Sequence, residues 1–460
     1  MTIVGAGLAG SEAAWQLAER GVAVRLLEMR PLLSTAVHES ADFAELVCSN
    51  SLKSLALSRA AGSLKQELAI YGCQLLRWAL QQRVPAGQAL AVDRLAFSQS
   101  VTAALSAHPN ISVERAEFRD LPALITSDSP SILASGPLTS DALQQQLVQA
   151  LGAQQLAFFD AVAPIVAADS LDWSQLFSQS RYQAADGDYL NAALDRDQYQ
   201  RLVEELVQGQ RVILRDFENH ELFSACQPVE EIARQGRDSL RYGALKPVGL
   251  RDPRTARRPW AVVQLRAENR NHTSYNLVGL QTNLTFAEQQ RIFRLIPGLA
   301  EARFLRYGVM HRNTFINAPQ LLRPDLAWAA HPQIHFAGQL MGTEGYMEAI
   351  AGGLVAALAV YAQLQGGDFQ ALPSPSLLGA LLAYATDSSC LNYQPMHVNF
   401  GLIPALPQPV ANRRQRYRQY SQRAAAAAQG YRRAHSELAW LPALPADFLI
   451  DDSQSEVPDD

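Results

Sequence analysis

Apolar residues open the chain at 2–4, break at GAGLAG, return with helical spacing over 11–19, and return again as an extended run over 22–28. Strand, tight turn, helix and strand in that order predict a βαβ unit. Ala13 and Ala14 are small where the helix must approach the sheet, and Gly21 stands where a helix C-terminal cap is expected. A second helical pattern covers 64–83. The Pro/Gly turn of VPAGQALAVDR then leads into a short strand, and a further helix covers 97–105. In SILASGPLTS an apolar strand precedes a Gly-Pro turn, with Thr139 and Ser140 placed to cap a helix that begins at Asp141.

From Pro164 to Arg306 the texture changes to short aromatic-rich strands (AVVQLRA, SYNLVGLQ) between polar helices, which predicts an inserted α+β domain. After it, QIHFAGQLMGTEGYMEAIAGGLVAALAVYAQL again reads strand, glycine-rich turn and long apolar helix, returning the chain to the first sheet. The expected organisation is therefore a first domain in two parts, 1–163 and 307–435, around an insertion at 164–306, with a tail at 436–460. Residues 412–435 are rich in arginine, glutamine and alanine and show helical propensity without an obvious buried stripe. The terminal DDSQSEVPDD is expected to be disordered.

Composition supports this picture and narrows it. A chain of 460 residues exceeds the roughly 250–300 at which single cores stop growing. With 48% hydrophobic and 18% charged residues it reads as a globular protein. The longest apolar stretch, 349–364, contains Gly352 and Gly353 and is shorter than the ~20 residues of a membrane span, so it predicts a buried helix. No charged leader precedes the first strand, so the expectation is a cytoplasmic protein without a signal peptide. Cys48, Cys73, Cys226 and Cys390 show no CxxC spacing, which argues against zinc and disulfides and predicts free thiols and no metal site. A net charge of −5 provides no global attraction for nucleic acid, so an RNA partner would need a local basic face. Of the 39 basic residues only Lys53, Lys65 and Lys246 are lysine. A coding bias accounts for the ratio, yet an ammonium and a guanidinium differ at close contacts, so these three positions are candidates for specific roles.

Gly5, Gly7 and Gly10, with Ala6, Leu8 and Ala9 between them, form GxGxxG directly after a strand, and Glu28 ends the next strand at about the spacing of a ribose-binding acid. The helix N-terminus offers free amides and partial positive charge to a pyrophosphate. FAD is favoured over a nicotinamide because a second glycine-rich turn, with Gly338, Gln339, Gly342 and Gly345, opens a helix that can face the far end of a flavin. The chain has no second GxGxxG, so any NAD(P)H must dock transiently.

GAGLAGSEAAWQLAERG, LLEMRP, ELVCSNSLKS, AVDR, SGPLTS, GDYLN, LRYGALKPVGL, YNLVGLQTNL, RYGVMHRNTFINAP, AGQLMGTEGYMEAIAGG and NFGLIP together resemble the folate- and FAD-dependent tRNA (uracil-5-)-methyltransferases, the TrmFO family, over residues 1 to about 405. The resemblance implies a glutathione-reductase-type FAD domain. It also implies 5-methyluridine formation in the tRNA T-loop, with methylenetetrahydrofolate as carbon donor and reduced flavin as reductant. Two departures are visible: Ala192 and Ala193 stand where the family often has Cys-Pro, and His397 where it more often has Asn.

Uracil C5 is a weak nucleophile until a thiolate adds at C6, so this chemistry calls for a cysteine. Cys48 lies five residues before Lys53, and Cys226 lies near Arg234, Arg237, Arg241 and Lys246, where cations raise the thiolate fraction. By resemblance Cys226 matches the nucleophile at C6, and Cys48 the second functional cysteine, for proton removal or contact with the flavin. Cys73 and Cys390 read as structural. Tyr346 is a candidate to stack on flavin or folate, and Lys53, Lys246 and Arg312 to contact phosphate or folate carboxylates. For RNA, the candidates are RRQRYRQYSQR at 413–423 and the arginines at 234, 237, 241, 254, 257 and 258. Three other readings compete: a related flavoprotein that modifies wobble uridines, a small-molecule flavin oxidoreductase, and a catalytically silent tRNA-binding protein that keeps FAD as a structural prop.

Overall fold

The computed structural model describes residues 1–35, 37–152, 155–182, 187–212, 227–391 and 393–452, without the side chains of 155–160, 311 and 312. Thr2–Val4 pairs in parallel with Val24–Glu28 on one side and Ser131–Leu133 on the other. Ile111–Arg115 and His331–Phe336 extend the parallel sheet outward, and Ala327–Trp328 closes one edge antiparallel. The strands are short, and the central ones, TIV and SIL, are mostly apolar and buried, as expected where helices cover both faces.

Helix Leu8–Ala18 lies against helix Tyr346–Leu364, so the first and last glycine turns of the sequence sit side by side. That apolar helix of 19 residues is the only one among the described residues long and apolar enough to cross a membrane. Most of it is buried in the protein's own core.

The helical pattern at 64–83 is two helices, Ala60–Tyr71 and Gln74–Gln81. Gly72 adopts a left-handed conformation (φ +76°) and ends the first. The buried Glu12 accepts from the amides of Gln74 (3.0 Å) and Leu75 (2.8 Å) and so caps the second. Asp141 does begin a helix, but Ser140 makes no side-chain cap; Thr139 instead bonds Ser135 and the Gly136 carbonyl.

A second sheet of six antiparallel strands runs Leu176–Ser178, Tyr189–Leu194, Ala261–Ala267, Ser274–Leu277, Ile165–Ala167, Phe304–Arg306. It carries its own apolar core between Val166 and Phe304, separate from the larger core of the first sheet. Gln155–Ala161 and Met310–Ile316 pair antiparallel as a two-stranded ribbon at the junction.

Helix Arg413–Ala434 does have a buried stripe, Ser421, Ala424, Ala425, Ala428 and Tyr431, whose serine and alanines let it lie close on Ala60–Tyr71. The segment after it is also held in place. Ile450 exchanges backbone hydrogen bonds with Leu55 and Leu57, and Asp452 accepts from the Ser58 amide and hydroxyl.

Candidate functional site

The first glycine turn is shaped by close approach. A Cβ on Gly10 would lie 1.8 Å from the Gly5 carbonyl oxygen, and one on Gly5 (φ +96°) 2.6 Å from the Ala134 oxygen. At Gly7 the same atom would meet nothing within 4 Å, so backbone there is open to a ligand. Gly7 caps helix Leu8–Ala18 without any side-chain hydrogen bond, which leaves its first-turn amides for an outside acceptor. In front lies a solvent-open cleft of about 550 Å³ whose walls include Gly5, Gly7, Glu28, His38, Phe118 and Ser135. Unclaimed helix amides, an open glycine and an acid at the end of the second strand fit the dinucleotide half of FAD.

Glu28 does more than border that cleft. One carboxylate oxygen accepts from the Ala6 amide at 3.0 Å, fixing the turn, and the other accepts from the Arg30 amide (3.1 Å) and Nε (2.9 Å). Burial raises the carboxyl's pKa, but the Arg30 cation and these hydrogen bonds outweigh it and hold it below the usual carboxylate range. Arg30 also bonds Glu45 at 3.0 Å, so a buried Glu28–Arg30–Glu45 chain ties the cleft wall to the loop beyond. The motif LLEMRP contains two of these three residues, yet only the fold reveals their pairing with Glu45.

Gly338, Gly342 and Gly345 all have positive φ (+72°, +82°, +113°) and carry the chain into helix Tyr346–Leu364. Gln339 donates to both oxygens of the buried Glu344 (2.6 and 2.8 Å), which fixes the turn internally. A Cβ on Gly338 would meet the Ala9 Cβ at 2.7 Å, and one on Gly353 the Ala9 oxygen at 2.1 Å. The two turns are thus in direct contact.

Cys48 sits at this junction. Its amide and that of Ser49 both donate to the Tyr346 hydroxyl (2.7 and 3.1 Å), and its Sγ lies 3.8 Å from the Ala161 oxygen. Burial and the neighbouring thiol push the Tyr346 phenol well above its ordinary pKa, which keeps it neutral. Arg94 reaches the Leu46 carbonyl (2.5 Å) and Arg266 reaches Ser49 Oγ (2.6 Å) and Asn50 Oδ1 (2.7 Å). Lys53, itself at positive φ, pairs at 3.2 Å with the buried Glu348, in the first turn of the helix that Tyr346 begins. His397, close to both charges, has its pKa lowered by burial and by Lys53.

The first turn, the far turn, Cys48, Lys53 and Tyr346 therefore converge. Lys246 does not join them: it lies with Arg241, Arg258 and Trp260 at the start of strand Ala261–Ala267, whereas Arg266, at the other end, holds the Cys48 loop. Arg312 stands opposite Phe159 in the junction ribbon, its side chain outside the described residues, and Cys226 falls outside them altogether. Cys73 is fully buried, with its thiol pushed up by burial. In the 413–423 stretch, Tyr417 and Tyr420 stack on Phe400 and Arg423 bonds the Pro404 and Ala405 carbonyls. Those side chains serve the fold. No cluster of potential metal ligands occurs among the described residues.

Sheet topology and glycine cradle define an α/β protein with an FAD-binding Rossmann-type domain. Its fold is that of the GidA structures from Aquifex aeolicus: one is matched at a TM-score of 0.68 and 14% identity, covering 96% of this chain and 73% of that one. A family model described as "Glucose inhibited division protein A" matches residues 1–368. Sequence relatives are more specific. The methylenetetrahydrofolate–tRNA-(uracil-5-)-methyltransferase TrmFO of Heliobacterium modesticaldum is 49% identical over 424 residues, 92% of this chain and 96% of its own length. The enzyme of that name from Desulforudis audaxviator is 51% identical over 423 residues, 92% and 95% respectively. The chain belongs to the TrmFO family of tRNA (uracil-5-)-methyltransferases.

Proposed function

We propose that the protein transfers a one-carbon unit from methylenetetrahydrofolate to C5 of a uridine in the tRNA T-loop, giving 5-methyluridine, with FAD bound between its two glycine turns. The observation that carries this reading is the contact of both turns with each other beside the loop that presents Cys48. Bound and reduced, FAD supplies the hydride that completes the methyl group; NAD(P)H, docking transiently, is the proposed source of those electrons.

The chain's own residues do the rest. Backbone at Gly5, Gly7 and Gly10, with the amides of the Leu8–Ala18 helix, receives the pyrophosphate, and Glu28 faces the adenosine ribose. Gly338, Gln339, Gly342 and Gly345 shape the opposite end. Cys226, by its match to the family's nucleophile, adds to uracil C6; C5 then bonds the one-carbon unit as its bond to tetrahydrofolate breaks, Cys48 takes the C5 proton, and the Cys226 thiolate is expelled from C6. Tyr346 holds the Cys48 amide, so the thiol enters the site with its backbone already fixed. Lys53 and Arg312 are the cations for folate carboxylates, and Lys246, away from the flavin site, is a cation for RNA phosphate. The place of action is the cytoplasm, where unmodified tRNA is available.

Purified protein is incubated with methylenetetrahydrofolate, NAD(P)H and unmodified tRNA, and nucleosides are measured by mass spectrometry. We expect 5-methyluridine from the wild type and none from Cys226→Ala or Cys48→Ala. A colourless protein that takes up no FAD, or one that modifies only a wobble uridine, would overturn the reading.

A further inference from the structure

Outside the flavin site the inserted domain carries a second concavity, a shallow pocket open to solvent and lined by Arg241, Tyr242, Lys246, Pro247, Val248, Arg258, Pro259 and Trp260. Three of these eight residues are cations and none is acidic. In a protein of net charge −5, three cations gathered in one lining of the described residues favour a small anion.

The pocket is built rather than incidental. The Arg241 guanidinium lies 3.9 Å over the Trp260 ring, and its Nε donates to the Trp260 carbonyl at 2.8 Å. Stacking and that bond fix the plane of the guanidinium, while its two terminal nitrogens have no acceptor among the described residues. Arg196 lies 5.5 Å from the same indole, so the ring has two guanidinium groups near it. The turn carrying Lys246 is fixed by bonds from the Leu245 amide to the Leu240 carbonyl and from the Val262 amide to the Leu245 carbonyl. Tyr242, 77% exposed, stands beside the cations as a ring on which a base can stack.

Position decides what the pocket can take. It opens at Trp260, at the start of the seven-residue strand Ala261–Ala267, and Arg266 near its end grips Ser49 and Asn50 beside Cys48. At a rise of ~3.3 Å per residue the strand separates the two places by about 20 Å. With the Cys48 loop taken as the marker of the reacting base, an anion bound there belongs to a part of the substrate well removed from it.

We propose that Arg241, Lys246 and Arg258, floored by Trp260, hold a backbone phosphate of the RNA substrate several nucleotides from the target uridine, with Tyr242 stacking on an adjoining base. This rests on the tRNA reading above and adds a subsite to it. The pocket sets the register of the RNA and takes no part in bond making, so its loss shows in KM and not in kcat.

The test uses full-length Arg258→Gln, Lys246→Gln and the double variant, each checked for an unchanged flavin spectrum. Gel shifts with unmodified tRNA across a salt series are expected to show a slope of log K against log salt reduced by about 1 for each cation removed. The KM for tRNA should rise roughly tenfold in the double variant, with kcat at saturating tRNA and the KM for methylenetetrahydrofolate both unchanged. Arg258→Lys, which keeps the charge, should retain the wild-type slope. Unchanged slopes in both glutamine variants would overturn the proposal. So would a rise in the KM for a polyglutamylated folate in place of that for tRNA, which would make this a pocket for the folate tail. Product formation by the wild type judges the methyl-transfer reading separately.

Discussion

Lys65 illustrates how much one buried side chain can set. It is fully buried, its Nζ donates to the carbonyls of Ser54 (3.0 Å) and Ala61 (3.2 Å), and burial pulls its pKa down to about 7. Glu348 opposes that fall and Lys53 adds to it. An unfolded lysine titrates near 10.4. Between about pH 7 and 10 the unfolded chain therefore holds a proton that the folded chain has released, and stability rises with pH across that window; below it, the folded state carries the full cost of a buried ammonium. Lys65→Met should flatten the rise, checked by urea unfolding at pH 7 and pH 9.5; a variant with the wild-type difference would show that the amine titrates normally. Tyr346 acts just as locally. With Tyr346→Phe the amides of Cys48 and Ser49 lose their acceptor, each unsatisfied donor costing about 1–3 kcal/mol. We expect kcat to fall at least tenfold with FAD content unchanged, measured by single-turnover product formation and flavin absorbance. Of these two roles the sequence showed only the candidates. It marked Lys65 as a lysine retained among arginines and Tyr346 as a ring near the flavin, but a hydrogen bond spanning some 300 positions leaves no local signal.

At the scale of elements, the glycines that the sequence singled out have separable duties. Gly7 is open to ligand, whereas Gly10 and Gly353 are contacts between backbones: one lets helix Leu8–Ala18 close onto its own turn, the other lets helix Tyr346–Leu364 close onto Ala9. Gly353→Ala would place a methyl carbon 2.1 Å from the Ala9 oxygen, and the helices would have to separate. Overpacking of this kind costs about 1–3 kcal/mol. It should also weaken FAD binding, because the first glycine turn moves with Ala9; thermal melts with and without added FAD would measure both effects. A fully flavinated variant with unaltered melting would mean that the contact yields easily. The βαβ start was legible because each of its elements is a local pattern. The division of the 64–83 pattern was not, since one half ends on Gly72 and the other is capped by Glu12, some sixty residues away. Likewise the small-residue stripe of Arg413–Ala434 reads as polar helix until its partner helix Ala60–Tyr71 is known.

In the whole molecule two apolar cores meet across a polar seam, and that seam carries the Cys48 loop. From the flavin-binding side Tyr346 and Arg94 hold it; from the inserted domain Arg266 does, and Glu268 pairs with Arg94 at 2.9 Å. Asn50, fully buried, donates to the carbonyls of Val92 (3.0 Å) and Ala267 (2.9 Å), one on each side. The sequence separated the two textures of chain but gave no hint of this seam, because the bonds that cross it to the inserted domain join positions more than 170 residues apart. Removing Arg266 tests whether the seam is mechanical or catalytic. Arg266→Met keeps most of the side chain's volume yet takes the Arg266 donor from Asn50 Oδ1 and leaves Ser49 Oγ with the Ser51 amide alone. Because each core retains its own apolar contacts, the melting temperature should fall only by a few degrees, as about 1–2 kcal/mol implies for domains of this size. The Cys48 loop, however, would lose its link to the inserted domain. The prediction is a loss of kcat of at least tenfold with FAD retained and tRNA affinity little changed, measured by steady-state kinetics beside gel shifts. If kcat stays at the wild-type value while stability drops, the seam serves folding alone and Cys48 is positioned by Tyr346 without help from the second domain.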